Sequence, residues 1–260
     1  MSANPQEAVV EMTSGAIGAP DGSRPWLLEG VDWAVRAGET WVLAGPMNAG
    51  KSALLETVAG LRPMADGSLR VMGRAWEALK GPDLVALRMR VGLVFDGRGR
   101  VFPGLTVLEN VALPLCYHRN WPMAEAAEAV EAWLSEAGLT GWALETAGKL
   151  SPAWARRVAL VRALVLQPDL VLLDEPLAGL DPAHARWWEG CLGMLRAGHP
   201  LMDGHGVTLV MTASTPGALP KWGTDVRCAV IEDGQWRDAG GLHDLARTPR
   251  PWGEAAPTTR

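Results

Sequence analysis

Residues 45–52 read GPMNAGKS, between an apolar run, WVLAG (41–45), and a helical pattern over 51–59 that Gly60 closes. A buried strand that must turn at once into a helix, with a glycine at each end of the turn, points to a parallel α/β sheet. Gly45 and Gly50 let the backbone curl so that the N–H groups of Pro46's neighbours Met47, Asn48 and Ala49 can converge on phosphate oxygens. The start of the helix adds partial positive charge. Lys51 brings an ammonium to the β- and γ-phosphates of a nucleotide, and Ser52 a hydroxyl for Mg²⁺.

Such a site needs a carboxylate at the end of a second buried strand. LVLLDE (170–175) supplies it: Asp174 to hold Mg²⁺, directly or through water, and Glu175 to polarise an attacking water. Two acids ending a strand are ordinary by themselves; the phosphate loop gives them a use.

The remaining pattern agrees with an α/β chain. VVEMT (9–13) reads as an edge strand, VDWAV (31–35) alternates, and GSLRVMG (67–73) and VGLVF (91–95) are strand-like. Between about 107 and 150 the periodicity turns helical, in VLENVALPL, MAEAAEAVEAWLSEAGL and GWALETAGKL. A helix is expected from 152 to about 166, another over about 182–195, and a strand in GVTLVMTA (206–213). Asp233-Gly234 marks a hairpin in CAVIEDGQW (228–236). Residues 1–7 are expected to be flexible and the proline-rich 247–260 disordered.

Composition removes several classes. A net charge of -5 offers no basic surface for nucleic acid. Cys116, Cys191 and Cys228 form no CxxC, which argues against a zinc site or a disulfide framework and for a reducing, cytoplasmic setting. No run of about 18 apolar residues would span a membrane, and MSANPQEAVV is not a signal peptide.

The ordered parts resemble the nucleotide-binding subunits of ABC transporters over about residues 8–245. The phosphate loop is followed by a helical stretch, then LSPAW (150–154) where the family has LSGGQ, then the acidic strand, then LAGLD ending at Asp181. VFPGLTVLENVALPL (101–115) is similar to the family's passage into its helical subdomain. The resemblance implies one ABC domain over residues 8–246: a P-loop NTPase core of ABC type with an inserted helical subdomain (about 97–155) and an antiparallel β subdomain. It also implies Mg·ATP held between one subunit's phosphate loop and the other's signature, in a homodimer or a heterodimer with another ABC ATPase subunit. The expected place is peripheral, on the inner face of the membrane through a transmembrane permease. Ser151 and Asp181 carry over as residues facing the nucleotide. ARR (155–157) and the 101–115 segment are faintly similar to ATPases of Mce-linked lipid-transport systems.

Three positions depart from the family pattern. Asp96 stands where the Q-loop glutamine would, still able to meet the metal but at a cost of repulsion from phosphate. Ala213 stands where a histidine would orient water; loss of such a group commonly costs about 10²–10³ in rate. The signature reads Ser151-Pro152-Ala153-Trp154. Ser151 can cap and Pro152 suits a first helical position, but proline has no N–H, and Ala153 and Trp154 add bulk where backbone should approach phosphate. The chain is thus expected to bind nucleotide better than it hydrolyses it. The alternative is a catalytically impaired sensing or structural subunit. No clear aromatic residue is placed to stack on adenine; Trp26 is the candidate substitute.

Overall fold

A computed structural model describes residues 8–19, 26–219, 222 and 225–245. The segments 1–7 and 247–260 lie outside the described residues. The strands are β1 (Ala8–Ile17), β2 (Leu28–Arg36), β3 (Thr40–Ala44), β4 (Asp66–Val71), β5 (Val91–Val94), β6 (Leu170–Leu173), β7 (Thr208–Ala213), β8 (Val226–Glu232) and β9 (Gln235–Gly241). The helices are α1 (Lys51–Val58), α2 (Gly81–Met89), α3 (Val107–Arg119), α4 (Met123–Glu136), α5 (Pro152–Leu164), α6 (Pro182–Ala197) and α7 (Leu242–Leu245).

All nine strands form one sheet in the order β4-β1-β2-β9-β8-β3-β7-β6-β5. The run β8-β3-β7-β6-β5 is parallel, whereas β1 pairs antiparallel with both β2 and β4. β1 is therefore internal, not the edge strand its short apolar pattern implied; β4 takes the edge on that side. The β8–β9 hairpin turns at Asp233 (φ 52°) and Gly234 (φ 77°), both in the left-handed region that Asp-Gly favours.

The central strands read as unbroken apolar runs because both faces are covered. On β3, Val42 and Ala44 enter one core while Trp41 and Leu43 enter the other. β6 divides the same way, Val171 and Leu173 against Leu170 and Leu172. α1 covers the second face through Leu54, Leu55 and Val58. α5 and α6 cover the first, and α3 and α4 extend that same core through Val111, Leu115, Val130 and Trp133. The helical stretch thus shares a core with the sheet.

Two local readings need correction. Residues 140–149 are not a helix but two single 3₁₀ turns, Thr140–Trp142 and Ala147–Lys149. The backbone between them is taken by α3: Val107 N–H donates to Glu145 O (2.9 Å) and Leu108 N–H to Ala143 O (2.9 Å). These tertiary bonds replace the helical ones that the Ala- and Leu-rich composition favours. α2 went unread; it starts at Gly81-Pro82 and buries little beyond Leu87. By contrast, Thr106 and Glu109 form a reciprocal capping box at the start of α3. Among the described residues no helix is long and apolar enough to cross a membrane.

Leu172 is fully buried, so Leu172→Ala should lower unfolding free energy by about 2–5 kcal/mol. Urea denaturation followed by tryptophan fluorescence would show a lower midpoint with an unchanged slope.

Candidate functional site

The site lies at the C-terminal ends of β3, β6 and β7, which register makes neighbours. Ala44 pairs with Ala213, and Leu173 with Met211. The next residues along each strand, Gly45, Asp174 and the pair Thr212–Ser214, therefore converge, at the position where parallel sheets bind ligands.

The phosphate loop follows β3 directly. Gly45 N–H donates to Ala213 O (3.2 Å), and a Cβ at Gly45 would come within 2.0 Å of the Ile231 carbonyl oxygen. No other residue fits there. Asn48 (φ 63°) and Gly50 (φ 102°) lie in the left-handed region and carry the chain round to α1, whose first helical bond is Leu54 N–H to Gly50 O (2.9 Å). Met47 is exposed at the tip, 78% accessible. With no acid in its first turn, α1 presents its N–H groups and dipole to this concavity.

Lys51 is buried, its ammonium donating to Gly45 O (2.9 Å), Pro46 O (2.8 Å) and Ser214 Oγ (2.8 Å) and lying 3.6 Å from Glu175 Oε1. Burial holds its pKa below the ordinary lysine value, although Glu175 and Asp174 pull the other way.

Asp174 is raised above the ordinary carboxylate range, chiefly by burial. Hydrogen bonds from Ser52 and Thr212 oppose the shift, while the carboxylates of Asp96 and Glu175 add to it. A divalent cation would relieve that repulsion. Ser52 and Asp174 together offer the sparse oxygen set that Mg²⁺ accepts when phosphate and water complete its shell. No group of three or more His, Cys, Asp or Glu among the described residues is arranged to hold a metal.

Glu175 has φ 49°, a conformation costly for a side-chain-bearing residue and typical of functional sites. Its backbone is held on both sides: N–H donates to Thr212 Oγ1 (2.8 Å), and C=O accepts from Ala178 N–H (3.2 Å) and Arg156 Nη1 (3.3 Å). Thr212 Oγ1 in turn donates to Asp174 Oδ1 (2.8 Å). The Glu175 carboxylate accepts from Ser214 through both oxygens: N–H to Oε2 (3.1 Å) and hydroxyl to Oε1.

Asp96 is exposed and turned back on its own loop, accepting from Gly97 N–H and lying 3.9 Å from Arg156 Nη2. Arg156 is almost fully buried and donates to the carbonyls of Gly97, Glu175, Pro176 and Ala178. It thereby ties the Asp96 loop to the segment after Glu175.

The structure brings together residues 45–52, Asp174 and Glu175. Ser151 and Asp181 contribute no hydrogen bond or ion pair to that cluster. Ser151 holds the N-cap position of α5 by its backbone (φ -65°, ψ 159°), but its side chain makes no cap bond, contrary to the expected one; Pro152 has already removed an N–H that needed a partner. Asp181 caps α6 instead, accepting from His184 N–H (3.0 Å) and Ala183 N–H (2.9 Å), and these bonds hold its carboxyl below the usual range. Trp154 packs edge-on against His184 (4.9 Å), with the Arg157 guanidinium 4.5 Å from its ring. Trp26 stands half-buried just ahead of β2.

Thr212, Ser214 and Arg156 escaped the sequence reading. The available signal was a polar pair, Thr212 and Ser214, closing an apolar strand next to the acidic one.

A model of the ABC transporter family matches residues 28–178, and the chain belongs to that family. Molybdenum import ATP-binding protein ModC of Mycobacterium tuberculosis is 34% identical over 224 residues, 85% of this chain and 58% of that protein. Glutamate/aspartate import ATP-binding protein GltL of Escherichia coli is 38% identical over 148 residues, 57% of this chain and 61% of that protein. The chain thus matches about three fifths of the length of these relatives. Among solved structures, the ATP-binding cassette MJ0796, a dimer in a post-hydrolysis state bound to ADP and Pi, has a TM-score of 0.76 at 25% identity, covering 88% of this chain and 98% of that one. CbiO1 from Clostridium perfringens, part of the transporter complex cbiONQ, shares the fold with a TM-score of 0.71 at 21% identity, covering 89% and 88%.

Gly45→Ala should destabilise the fold by more than about 1 kcal/mol, since the Cβ meets backbone that cannot yield cheaply, and should abolish nucleotide binding. Thermal melts with and without Mg·ATP check both.

Proposed function

We propose that the chain is the ATP-binding subunit of an ABC transporter, coupling Mg·ATP binding and hydrolysis to a membrane permease. The observation that carries this reading is the convergence of the phosphate loop, Asp174 and Glu175 on one sheet edge, with Lys51 buried between them. The backbone N–H groups of residues 46–50 that carry one, with Lys51, bind the phosphates. Ser52 and Asp174 would hold Mg²⁺, which would supply positive charge against the phosphates. Glu175 takes a proton from water as the water oxygen bonds to the γ-phosphorus and ADP leaves. Ser151 and Asp181 would face the nucleotide of a second ATPase subunit, and Asp96 would act near the metal.

The permease contact fits the groove of about 300 Å³ between β5, α3 and α5, lined by Arg88, Phe102, Tyr117, His118 and Arg162. Tyr117 is 75% exposed there. Burial and the nearby Arg88 hold His118 below its usual pKa, so the groove's charge comes from its arginines. Arg98, like Arg162 of the groove, donates to backbone carbonyls, Arg98 to Ala147 and Gly148 and Arg162 to Gly99 and Arg100. The named relatives serve import of molybdenum and of glutamate/aspartate, which favours a small-solute importer; a lipid cargo rests on residues 101–115 and 155–157 alone.

The second reading is a subunit that binds nucleotide without turning it over. Ala213, a buried methyl where a water-orienting side chain is expected, favours it. Glu175→Gln decides between them. On the hydrolytic reading turnover falls by about 10²–10⁴-fold, while saturating Mg·ATP still raises stability, by about 2.7 kcal/mol at a hundred times Kd. Stabilisation without turnover in the unsubstituted protein would establish the second reading.

A further inference from the structure

We propose that Ser214 is the residue that positions Glu175 for hydrolysis, and that it couples this base to Lys51; the inference rests on the hydrolytic reading above. Ala213 ends β7 with a buried methyl and can orient nothing. One residue on, Ser214 grips the Glu175 carboxylate at both oxygens, the N–H on Oε2 at 3.1 Å and the hydroxyl on Oε1. Two such bonds fix the carboxylate plane as one bond cannot. The same hydroxyl accepts from Lys51 Nζ at 2.8 Å. A hydroxyl has one proton to give, and Lys51 has only protons to give, so the direction is set: Lys51 donates to Ser214, and Ser214 donates to Glu175. The chain ammonium–hydroxyl–carboxylate therefore joins the group that meets phosphate to the group that meets water.

The site needs such a device. Glu175 sits at φ 49°, with its backbone pinned by Thr212 and Arg156. Its side chain, however, is held by nothing but Ser214 and the more distant Lys51 among the described residues. A carboxylate with a free terminal torsion would sample positions off the line of attack, and a misplacement of about 1 Å can cost about 10²-fold in rate. The backbone N–H of residue 214 survives substitution by alanine; the hydroxyl does not. The hydroxyl is thus the removable half of the clamp.

The test compares Ser214→Ala and Ser214→Thr with the unsubstituted protein. Three quantities are read: steady-state ATP turnover, the Kd of Mg·ATP by titration with a fluorescent nucleotide, and the ¹³C resonance of the Glu175 carboxyl, assigned with Glu175→Gln. Ser214→Ala should lower kcat about 10²-fold, change Kd far less than kcat because the backbone donors of the phosphate loop are intact, and move the Glu175 resonance in the nucleotide-free protein. Ser214→Thr, which keeps the hydroxyl, should restore both the rate and the resonance. Equal kcat in Ser214→Ala beside an active unsubstituted protein overturns the inference and leaves the hydrolytic reading standing. An unmoved resonance, or a Thr variant as slow as Ala, also overturns it. No turnover in the unsubstituted protein overturns both.

Discussion

The register of β7 between β3 and β6 is the constraint on which the site depends. Ala44 lies beside Ala213, and Leu173 beside Met211. A slip of one residue would turn Thr212 to the opposite face and separate it from Asp174. What prevents the slip is burial on both sides. Val210 packs in one core and Leu209 and Met211 in the other, so a slip would force side chains of different shape into two close-packed cores. The chemistry at the sheet's edge is thus fixed by packing well below it.

A second constraint is the buried guanidinium of Arg156. Burial lowers its pKa, and only its pairing with four backbone carbonyls and Asp96 makes its position tolerable. The cost becomes a structural link: α5, the Asp96 loop and the segment after Glu175 cannot move independently without stranding donors. A neutral amide at 96 would lose the charge that faces this arginine. The departure at Asp96 is therefore one half of a pair whose other half is Arg156, and it is not an isolated loss.

Much of this was legible because the phosphate loop and the acidic strand are local motifs with their physics in adjacent residues. Gly45 is demanded by the Ile231 carbonyl, which the sequence does not show, but the motif carries the glycine. The ends of β6 and the Asp-Gly hairpin were equally local. What escaped was set by distant partners. Thr212 and Ser214 gain meaning only through Asp174, Glu175 and Lys51, which lie on other strands. β1 looked like an edge because strand order is not written in alternation. Residues 140–149 have helical composition, yet the N-terminus of α3 claims their carbonyls.

The altered signature surface follows from the same economy of partners. Pro152 begins α5 with no N–H to offer, and Ser151 leaves its hydroxyl unused for capping. Trp154 does not merely fill space there. It lies against His184 in the first turn of α6, the helix that Asp181 caps, and under Arg157, which also reaches the Trp187 ring at 4.1 Å. Aromatic and cation–π contacts of this kind contribute about 0.5–1.5 kcal/mol each. They join the start of α5 to the start of α6, so residues 150–154 and the Asp181 cap pack as one unit. The start of α5 thus lacks an N–H at Pro152 and gains ring packing against α6.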